Sequence, residues 1–144
     1  MTGIQPELWV DGASAAVAFY QAAFDAVVLH RVGGGDDIVA QLAVGTAEFW
    51  VTEANRSMNR FSPGAIGGTT GRTLLVVDDP DAVLGQAVSA GATEIAAVRD
   101  EHGWHMAESS TPLATSGRSV GRLVPGRRST TARARTRNRV RAGK

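Results

Sequence analysis

Two stretches of this chain repeat one pattern, and this repetition constrains the fold more than any single motif does. The segment LWVDGASAAVAFYQAAFDA, which begins at Leu8, aligns without a gap on LVVDDPDAVLGQAVSAGAT, which begins at Leu75. Each copy predicts a short apolar strand, an acidic turn, and a helix whose small and apolar residues recur at helical spacing. The chain is therefore two similar halves, and we expect a functional site between them.

Length and composition favour one compact domain with no membrane partner. The 144 residues are enough for a single hydrophobic core. No apolar run approaches the roughly 20 residues that span a bilayer, and the N-terminus lacks the pattern of a signal peptide, so we expect a cytoplasmic location. Cys is absent, which excludes disulfides, thiolate metal sites and cysteine nucleophiles.

Acidic and basic residues are divided between the two ends of the chain. All fourteen Asp and Glu lie at or before Glu108, whereas Arg118 to Lys144 contains ten of the fifteen Arg and Lys. A tail rich in Arg, Ser, Thr and Gly buries too little apolar surface to offset its chain entropy. We therefore predict a folded domain over 1–112 and a basic, disordered tail over 113–144. We expect the tail to bind nucleic acid without sequence specificity, with an affinity that falls as the salt concentration rises.

The first half is predicted to be βαβββ. The predicted elements are a strand at 4–10, a helix at 14–24, and strands at 26–32, 38–44 and 47–53. Val17, Tyr20 and Phe24, together with the alanines, form the packing face of the helix. The Asn-, Gly- and Pro-containing segment 55–71 then reads as a linker.

The second half begins in the same way and then loses the pattern. It predicts a strand at 72–77, a helix at 80–90 and a strand at 93–98. Asp79 is the expected N-cap of the helix, Pro80 its first residue and Gly91 its C-terminal stop. The repeats therefore cover about 4–54 and 72–108, and we expect the second repeat to be incomplete.

With its duplicated βαβββ unit, its VDG...AFY...F opening and its VDDPDAVLGQAVSAGA second half, the chain resembles the vicinal oxygen chelate superfamily. That superfamily includes glyoxalase I, bleomycin resistance proteins and extradiol dioxygenases, and the chain is most similar to its PhnB-like, glyoxalase-related group. The resemblance covers about residues 4–106. It implies an α+β fold in which tandem βαβββ repeats form two curved mixed sheets around a pocket, and it implies a homodimer.

After Met106 the chain departs from the family pattern. The family continues with a strand that ends in a DPxGHxWxI-like segment, whereas this chain has AESSTPLATSGRSVGRLVPGRR. If GC-rich codons are written for that segment, one G restored after the Met codon yields GRIVDPLGHEWEIGRPL in the neighbouring frame. We therefore predict that a single-base deletion replaced the last strand and left backbone groups of the second sheet unpaired. The nucleotides at codons 106 and 107 test this prediction.

The family's enzymes hold a divalent metal at positions that this chain does not preserve. Carried over by alignment, those positions are Gln5, Trp50 and Arg72, and the fourth, normally a Glu, falls in the altered segment. Gln5 has a carbonyl that ligates metals, but Trp50 has no suitable donor atom and Arg72 repels a cation. We therefore expect no cofactor, and a divalent metal is the less favoured alternative.

Strand alternation places aromatic and charged side chains on one face of the predicted sheets, where they would suit a small amphipathic ligand. The candidate ligand-binding residues are Gln5, Glu7, Trp9, Glu48, Trp50, Arg72, His102 and Trp104. Equally, the tryptophans are large core residues and the charges face solvent. Glu7 is a candidate general base, although an ion pair between Glu7 and Arg72 explains the same charges structurally.

One function and two alternatives to it fit these residues. The first is a glyoxalase- or bleomycin-resistance-like protein that binds a small molecule in a metal-poor pocket, without catalysis of the family type. The alternatives are a metal-dependent lyase or isomerase of the glyoxalase type, and an inactive frame-shifted product. The acidic body and the unsuitable metal positions favour the binding protein, with a cationic ligand.

Overall fold

The structure, a computed structural model, describes residues 2–112 and the backbone of residues 120–125. The first repeat is β1 (Glu7–Val10), α1 (Ala13–Phe24), β2 (Val27–Gly34), β3 (Asp37–Val44) and β4 (Ala47–Glu53). Its four strands form one sheet in the order β1-β4-β3-β2, in which β1 runs parallel to β4 and the other pairs are antiparallel. The predicted βαβββ unit is confirmed, with shifts of a few residues at its element ends.

The second repeat has the same architecture after a connecting segment. That segment contains a 3-10 helix (Arg56–Met58) and the short helix α2 (Pro63–Ile66), neither of which was predicted. The second repeat is then β5 (Thr73–Val77), α3 (Pro80–Ser89), β6 (Thr93–Glu101), β7 (Trp104–Ser110) and β8 (Val120–Pro125). These strands form a second sheet in the order β5-β8-β7-β6. The fold is α+β with two mixed sheets, as predicted.

β8 corrects the prediction that the second repeat is incomplete. Residues 120–125 lie within the predicted tail, yet they pair in parallel with β5 and antiparallel with β7. The segment lacks the expected family motif, but strand pairing uses backbone groups that every non-Pro residue carries. The final strand is therefore present, and the predicted disorder of 113–119 and 126–144 lies outside the described residues.

The first sheet packs one face against α1. Along β3, Ile38, Ala40 and Leu42 are fully buried, because alternate side chains of a strand point to the same face. They pack with Val17 of α1 and Val51 of β4 in the main core cluster. α1 thus covers one side of this sheet, and no helix of the described segment 2–112 packs on the other side.

A carboxylate at the end of β4 fixes the start of α1. Gly12 is the N-cap, with φ 78°, and has no side chain that accepts a hydrogen bond. Glu53 takes over this role: Oε1 accepts from the Gly12 N–H at 3.0 Å and Oε2 from the Ala13 N–H at 2.6 Å. A negative charge there also interacts favourably with the helix dipole. The loop after β1, α1 and β4 are thereby tied together.

The two repeats meet through their helices. Phe19 and Ala23 of α1 pack with Ala87 of α3 and Ala92 in a shared apolar cluster. The Gln86 side-chain amide adds hydrogen bonds to the Ala22 carbonyl and the Asp25 carboxylate, each at 3.0 Å. Among the described helices, none is both long and apolar enough to cross a lipid bilayer.

The α3 N-terminus follows the predicted chemistry. The Asp79 carboxylate accepts from the Ala82 N–H at 3.0 Å, and Pro80 is the first helical residue. In the connecting segment, the Ser62 hydroxyl accepts from the Ala65 N–H at 3.2 Å and donates to Asp11 at 2.5 Å. This second bond fastens α2 to the turn that follows β1.

Replacement of Glu53 by Gln tests the link between β4 and α1. The amide lacks the charge and has only one acceptor oxygen for two N–H donors, so the free energy of unfolding should fall by about 1–2 kcal/mol. Urea denaturation measures this, with Glu94→Gln, an exposed side chain on β6, as the matched control. Equal midpoints for the two variants would show that the cap contributes nothing.

Shortened chains test the contribution of β8. A chain that ends at residue 112 leaves the β5 and β7 edges unpaired, whereas one that ends at residue 125 retains their partner strand. We expect the shorter chain to unfold with a free energy several kcal/mol lower, or without a cooperative transition. Thermal and urea unfolding compare them, and equal stability would contradict the pairing of β8.

Candidate ligand-binding face of the first sheet

The helix-free side of the first sheet, termed the open face, presents polar and aromatic side chains in rows across the strands. In one row Glu7 lies beside Trp50, Trp50 beside Gln41, and Gln41 beside His30. The next row places Trp9, Thr52, Val39 and Val32 side by side. Two predicted site residues, Gln5 and Glu48, join the first row by hydrogen bonds. The open face is therefore a continuous surface.

A closed polar network holds the centre of the open face. The Trp50 indole N–H donates to Gln5 Oε1 at 2.7 Å, and the Gln5 amide donates to Glu48 Oε2 at 2.6 Å. Gln41 donates to the same Glu48 oxygen at 2.9 Å and to Gln5 Oε1 at 3.3 Å. Two strands, β3 and β4, and the residues before β1 thus fix one half-buried indole ring beside one exposed carboxylate.

The second carboxylate of the open face is Glu7. Its Oε1 accepts from the buried Thr52 hydroxyl at 3.0 Å. Among residues 2–112, no Lys, Arg or His pairs with Glu7 or Glu48 within salt-bridge distance. Trp9 is 37% exposed beside them. The face therefore combines two indole rings with two carboxylates that have no cationic partner among residues 2–112, which suits a ligand that is both flat and cationic.

Arg72, His102 and Trp104 belong to the second sheet. Arg72 directly precedes β5, and Trp104 begins β7, where it is 39% exposed. His102 was expected on a strand but lies in the turn between β6 and β7, where both His102 (φ 51°) and Gly103 (φ 78°) have positive φ. Such values are typical of a two-residue hairpin turn. Within residues 2–112, no hydrogen bond or ion pair connects these three residues to the open face.

The predicted ion pair between Glu7 and Arg72 is therefore wrong. Glu7 bonds to Thr52 across β1 and β4, and no ion pair joins it to Arg72 in the described part of the chain. Glu7 begins β1 and Arg72 directly precedes β5, the corresponding strand of the other sheet. Alternation along a strand therefore does not give the distance between these two side chains. The Thr52 hydroxyl instead holds the Glu7 carboxylate, and the role of Glu7 as a general base stays a prediction.

The open face does not fit the family's divalent metal. Gln5 Oε1, the carried-over ligand atom, already accepts hydrogen bonds from Trp50 and Gln41. The Trp50 indole N–H is a donor only and has no lone pair for a metal. Over residues 2–112, no group of three or more His, Asp or Glu side chains is arranged to hold a metal ion. We accordingly derive no chemical step through a metal.

Gln41 belongs to the polar network but was not among the predicted site residues. It occupies the centre of the polar network, between the buried Ala40 and Leu42 of β3. A single amide in the otherwise apolar run IVAQLAV was the available signal, because a strand with one buried face exposes alternate positions. Alternation along β4 puts Thr52 on the same face as Glu48 and Trp50, and its bond to Glu7 depends on the parallel register of β1 and β4.

No family model matches the chain. A comparison with curated proteins finds Mb0911c, an uncharacterized protein of Mycobacterium bovis, at 37% identity over 106 residues, and the match covers 68% of this chain and 68% of the relative. Rv0887c of Mycobacterium tuberculosis matches at the same identity over 106 residues. This match covers 68% of the chain and 61% of Rv0887c, so the chain spans about three fifths of that relative's length.

Solved structures with this fold include enzymes and binding proteins. A glyoxalase/bleomycin resistance/dioxygenase family enzyme from Burkholderia phytofirmans gives a TM-score of 0.59 at 21% identity, covering 83% of this chain and 94% of its own. TnmS3, an antibiotic binding protein from Streptomyces, gives 0.64 at 19%, covering 87% and 96%. FosX, a fosfomycin resistance protein from Listeria monocytogenes, gives 0.65 at 12%, covering 88% and 94%. These identities show the fold alone.

Replacement of Gln5 by Ala tests the polar network. The Trp50 indole N–H loses its acceptor, so its NMR resonance should move upfield, while the indole resonances of Trp9 and Trp104 stay in place. The free energy of unfolding should fall by about 1 kcal/mol. Gln21→Ala, an exposed position on α1, is the matched control. An unchanged Trp50 resonance would contradict the network.

Proposed function

Because the chain belongs to the same protein family as Mb0911c and has the fold of the glyoxalase/bleomycin resistance proteins, we propose that it binds a small molecule on the open face of its first sheet. The observation that carries this proposal is the network of Trp50, Gln5, Glu48 and Gln41. It fixes an indole ring and a carboxylate before any ligand arrives, and preorganisation of this kind lowers the entropy lost on binding.

The ligand of this proposal is an aromatic cation. Glu7 and Glu48 supply two negative charges, and no described cation neutralises either one. Trp9 and Trp50 supply ring faces that attract flat and cationic groups. An anionic ligand would meet electrostatic repulsion on the same surface. TnmS3, an antibiotic binding protein with the same fold, supports a binding role for this architecture.

The proposal includes no resident metal and no turnover of the glyoxalase type. Hydrogen bonds already occupy the Gln5 carbonyl, and Trp50 stands where a metal ligand would be needed. We also propose membership of the PhnB-like group and a cytoplasmic location. A single-base deletion after Met106 stays a prediction about the gene. Its predicted structural result, the loss of the last strand, is wrong because β8 is present.

We further propose that the partner is a second copy of the chain. The helix-free face of the second sheet exposes Leu74 (55%), Val76 (61%) and Trp104. Arg72 adds a positive charge next to Leu74. This apolar and basic surface complements the aromatic and acidic open face of another copy, and apolar surface of this kind favours association. In such a dimer, the second sheet of one copy would cover the ligand on the first sheet of the other.

Two dyes of opposite charge test the ligand class. Thioflavin T, a flat aromatic cation, should bind, whereas the aromatic anion 8-anilinonaphthalene-1-sulfonate should bind much more weakly. Glu48→Gln removes one charge but keeps an acceptor oxygen, and it should weaken thioflavin T binding about tenfold, equivalent to roughly 1.4 kcal/mol. Glu94→Gln is the matched control, because it removes the same charge from an exposed position on β6. Equal affinities for both dyes, or equal effects of both variants, would contradict the proposal.

Metal titration separates the binding protein from a glyoxalase-type enzyme. Addition of Mg²⁺, Ni²⁺ or Zn²⁺, or of EDTA, should leave the melting temperature and thioflavin T affinity unchanged, because no described donor set holds a metal. A ligand that binds the folded state alone raises its stability. Stabilisation by one of these metals, together with metal-dependent lyase or isomerase activity, would favour the enzyme instead.

A further inference from the structure

One imidazole in the second repeat lies between two carboxylates from different elements. His105 on β7 places Nδ1 2.6 Å from Asp100 Oδ1 on β6, and Nε2 3.1 Å from Asp81 Oδ2 in the first turn of α3. The imidazole is about one-third exposed, so solvent protons reach it. A single ring therefore links a helix to both strands of a hairpin, on the side of the second sheet that α3 covers.

Both bonds require the same protonation state of His105. An ionised carboxylate only accepts hydrogen bonds, so each ring nitrogen must carry a proton, and that species is the imidazolium. The neutral ring has one N–H and would turn a lone pair toward the second carboxylate. Accordingly, two hydrogen bonds raise the pKa of His105 above its ordinary value of 6.5. The bond to Asp100 has the larger effect, and the bond to Asp81 follows.

The other charged groups described on α3, β6 and β7 do not take the place of His105 between Asp81 and Asp100. On α3 and the turn before it lie Asp78 and Asp79, the latter already capping the helix. On β6 and β7 the further ionisable residues are Glu94, Arg99, Glu101 and Glu108. Arg99 pairs with Glu101 at 3.3 Å, and strand alternation puts this pair on the face opposite Asp100. Over residues 2–112, no other cation forms an ion pair with Asp81 or Asp100.

We propose that His105 is a pH-sensitive clamp that holds the β6–β7 hairpin against α3 and thereby positions Trp104. Trp104 is the adjacent residue of β7 and points to the opposite, helix-free face, so a fixed His105 also fixes the backbone that carries the indole ring. The proposal concerns the free protein and does not depend on the ligand proposed for the open face. His105 is a positioning residue in this account.

The sign of the pH dependence follows from the raised pKa of His105. The folded state binds this proton more tightly than the unfolded state does, so the clamp stabilises the fold fully at pH values below 6.5. That contribution is lost as the pH rises through the pKa of the folded state. We expect the clamp to be closed in mildly acidic solution and to open as the solution becomes alkaline.

An NMR titration of the full chain between pH 5.5 and 9 tests the clamp without any ligand. The His105 ring nitrogens should titrate above pH 6.5, and the Trp104 indole resonance should move with the same midpoint, while those of Trp9 and Trp50 do not. Asp81→Asn and Asp100→Asn should each lower the midpoint, and Asn at these exposed positions is compatible with the fold. His105→Asn should abolish the Trp104 titration.

A matched variant excludes the neighbouring histidine as the cause. His102→Asn should leave the Trp104 titration in place, and Asn is suitable there because it tolerates the positive φ of that turn position. Three results would overturn the proposal. The first is a His105 midpoint at or below pH 6.5. The second is a His105 midpoint that stays the same in both Asp81→Asn and Asp100→Asn. The third is a Trp104 titration that disappears in His102→Asn but persists in Asp100→Asn.

Discussion

The Glu53 carboxylate, at the junction of β1, α1 and β4, is the contact on which the first repeat depends. It accepts hydrogen bonds from the N–H groups of Gly12 and Ala13, which lie where the turn after β1 leads into α1. These bonds anchor the start of the helix to β4. α1 is then directed over the side of the sheet that carries Ile38, Ala40 and Leu42. No helix within residues 2–112 packs on the opposite side, where the Glu7 and Glu48 side chains are exposed.

The chemistry of the open face follows from that arrangement. Parallel pairing of β1 with β4 brings Glu7 next to Trp50, and the chain before β1 brings Gln5 over the same indole. The amides of Gln5 and Gln41 then direct their donors to one oxygen of Glu48. A surface built in this way offers negative charge and ring faces. Its Gln5 carbonyl, which a metal would need as a ligand, accepts hydrogen bonds from Trp50 and Gln41 instead. Binding of an aromatic cation is the function that we propose for this surface.

Much of this fold could be predicted because the determining signals are local. The repeated strand, turn and helix pattern predicted both sheets, Asp79 and Pro80 predicted the start of α3, and alternation placed Trp50 and Glu48 on one face. The last strand was missed because its pairing depends on backbone groups, and the sequence GRLVP carries no motif that reveals them. Gln41 and the Asp81–His105–Asp100 contacts depend on strand register and on helix packing, which no spacing in the sequence reports.

NMR mapping of thioflavin T on ¹⁵N-labelled protein tests whether the cation binds at the polar network of the open face. The largest shifts should occur at the Trp50 indole N–H and at the side-chain amides of Gln5 and Gln41, since these groups surround the Glu48 carboxylate. Smaller shifts are expected at Trp9 on the same face. Saturable binding whose shifts leave these groups unchanged, and are confined to α1, α3 or the connecting segment, would contradict this prediction.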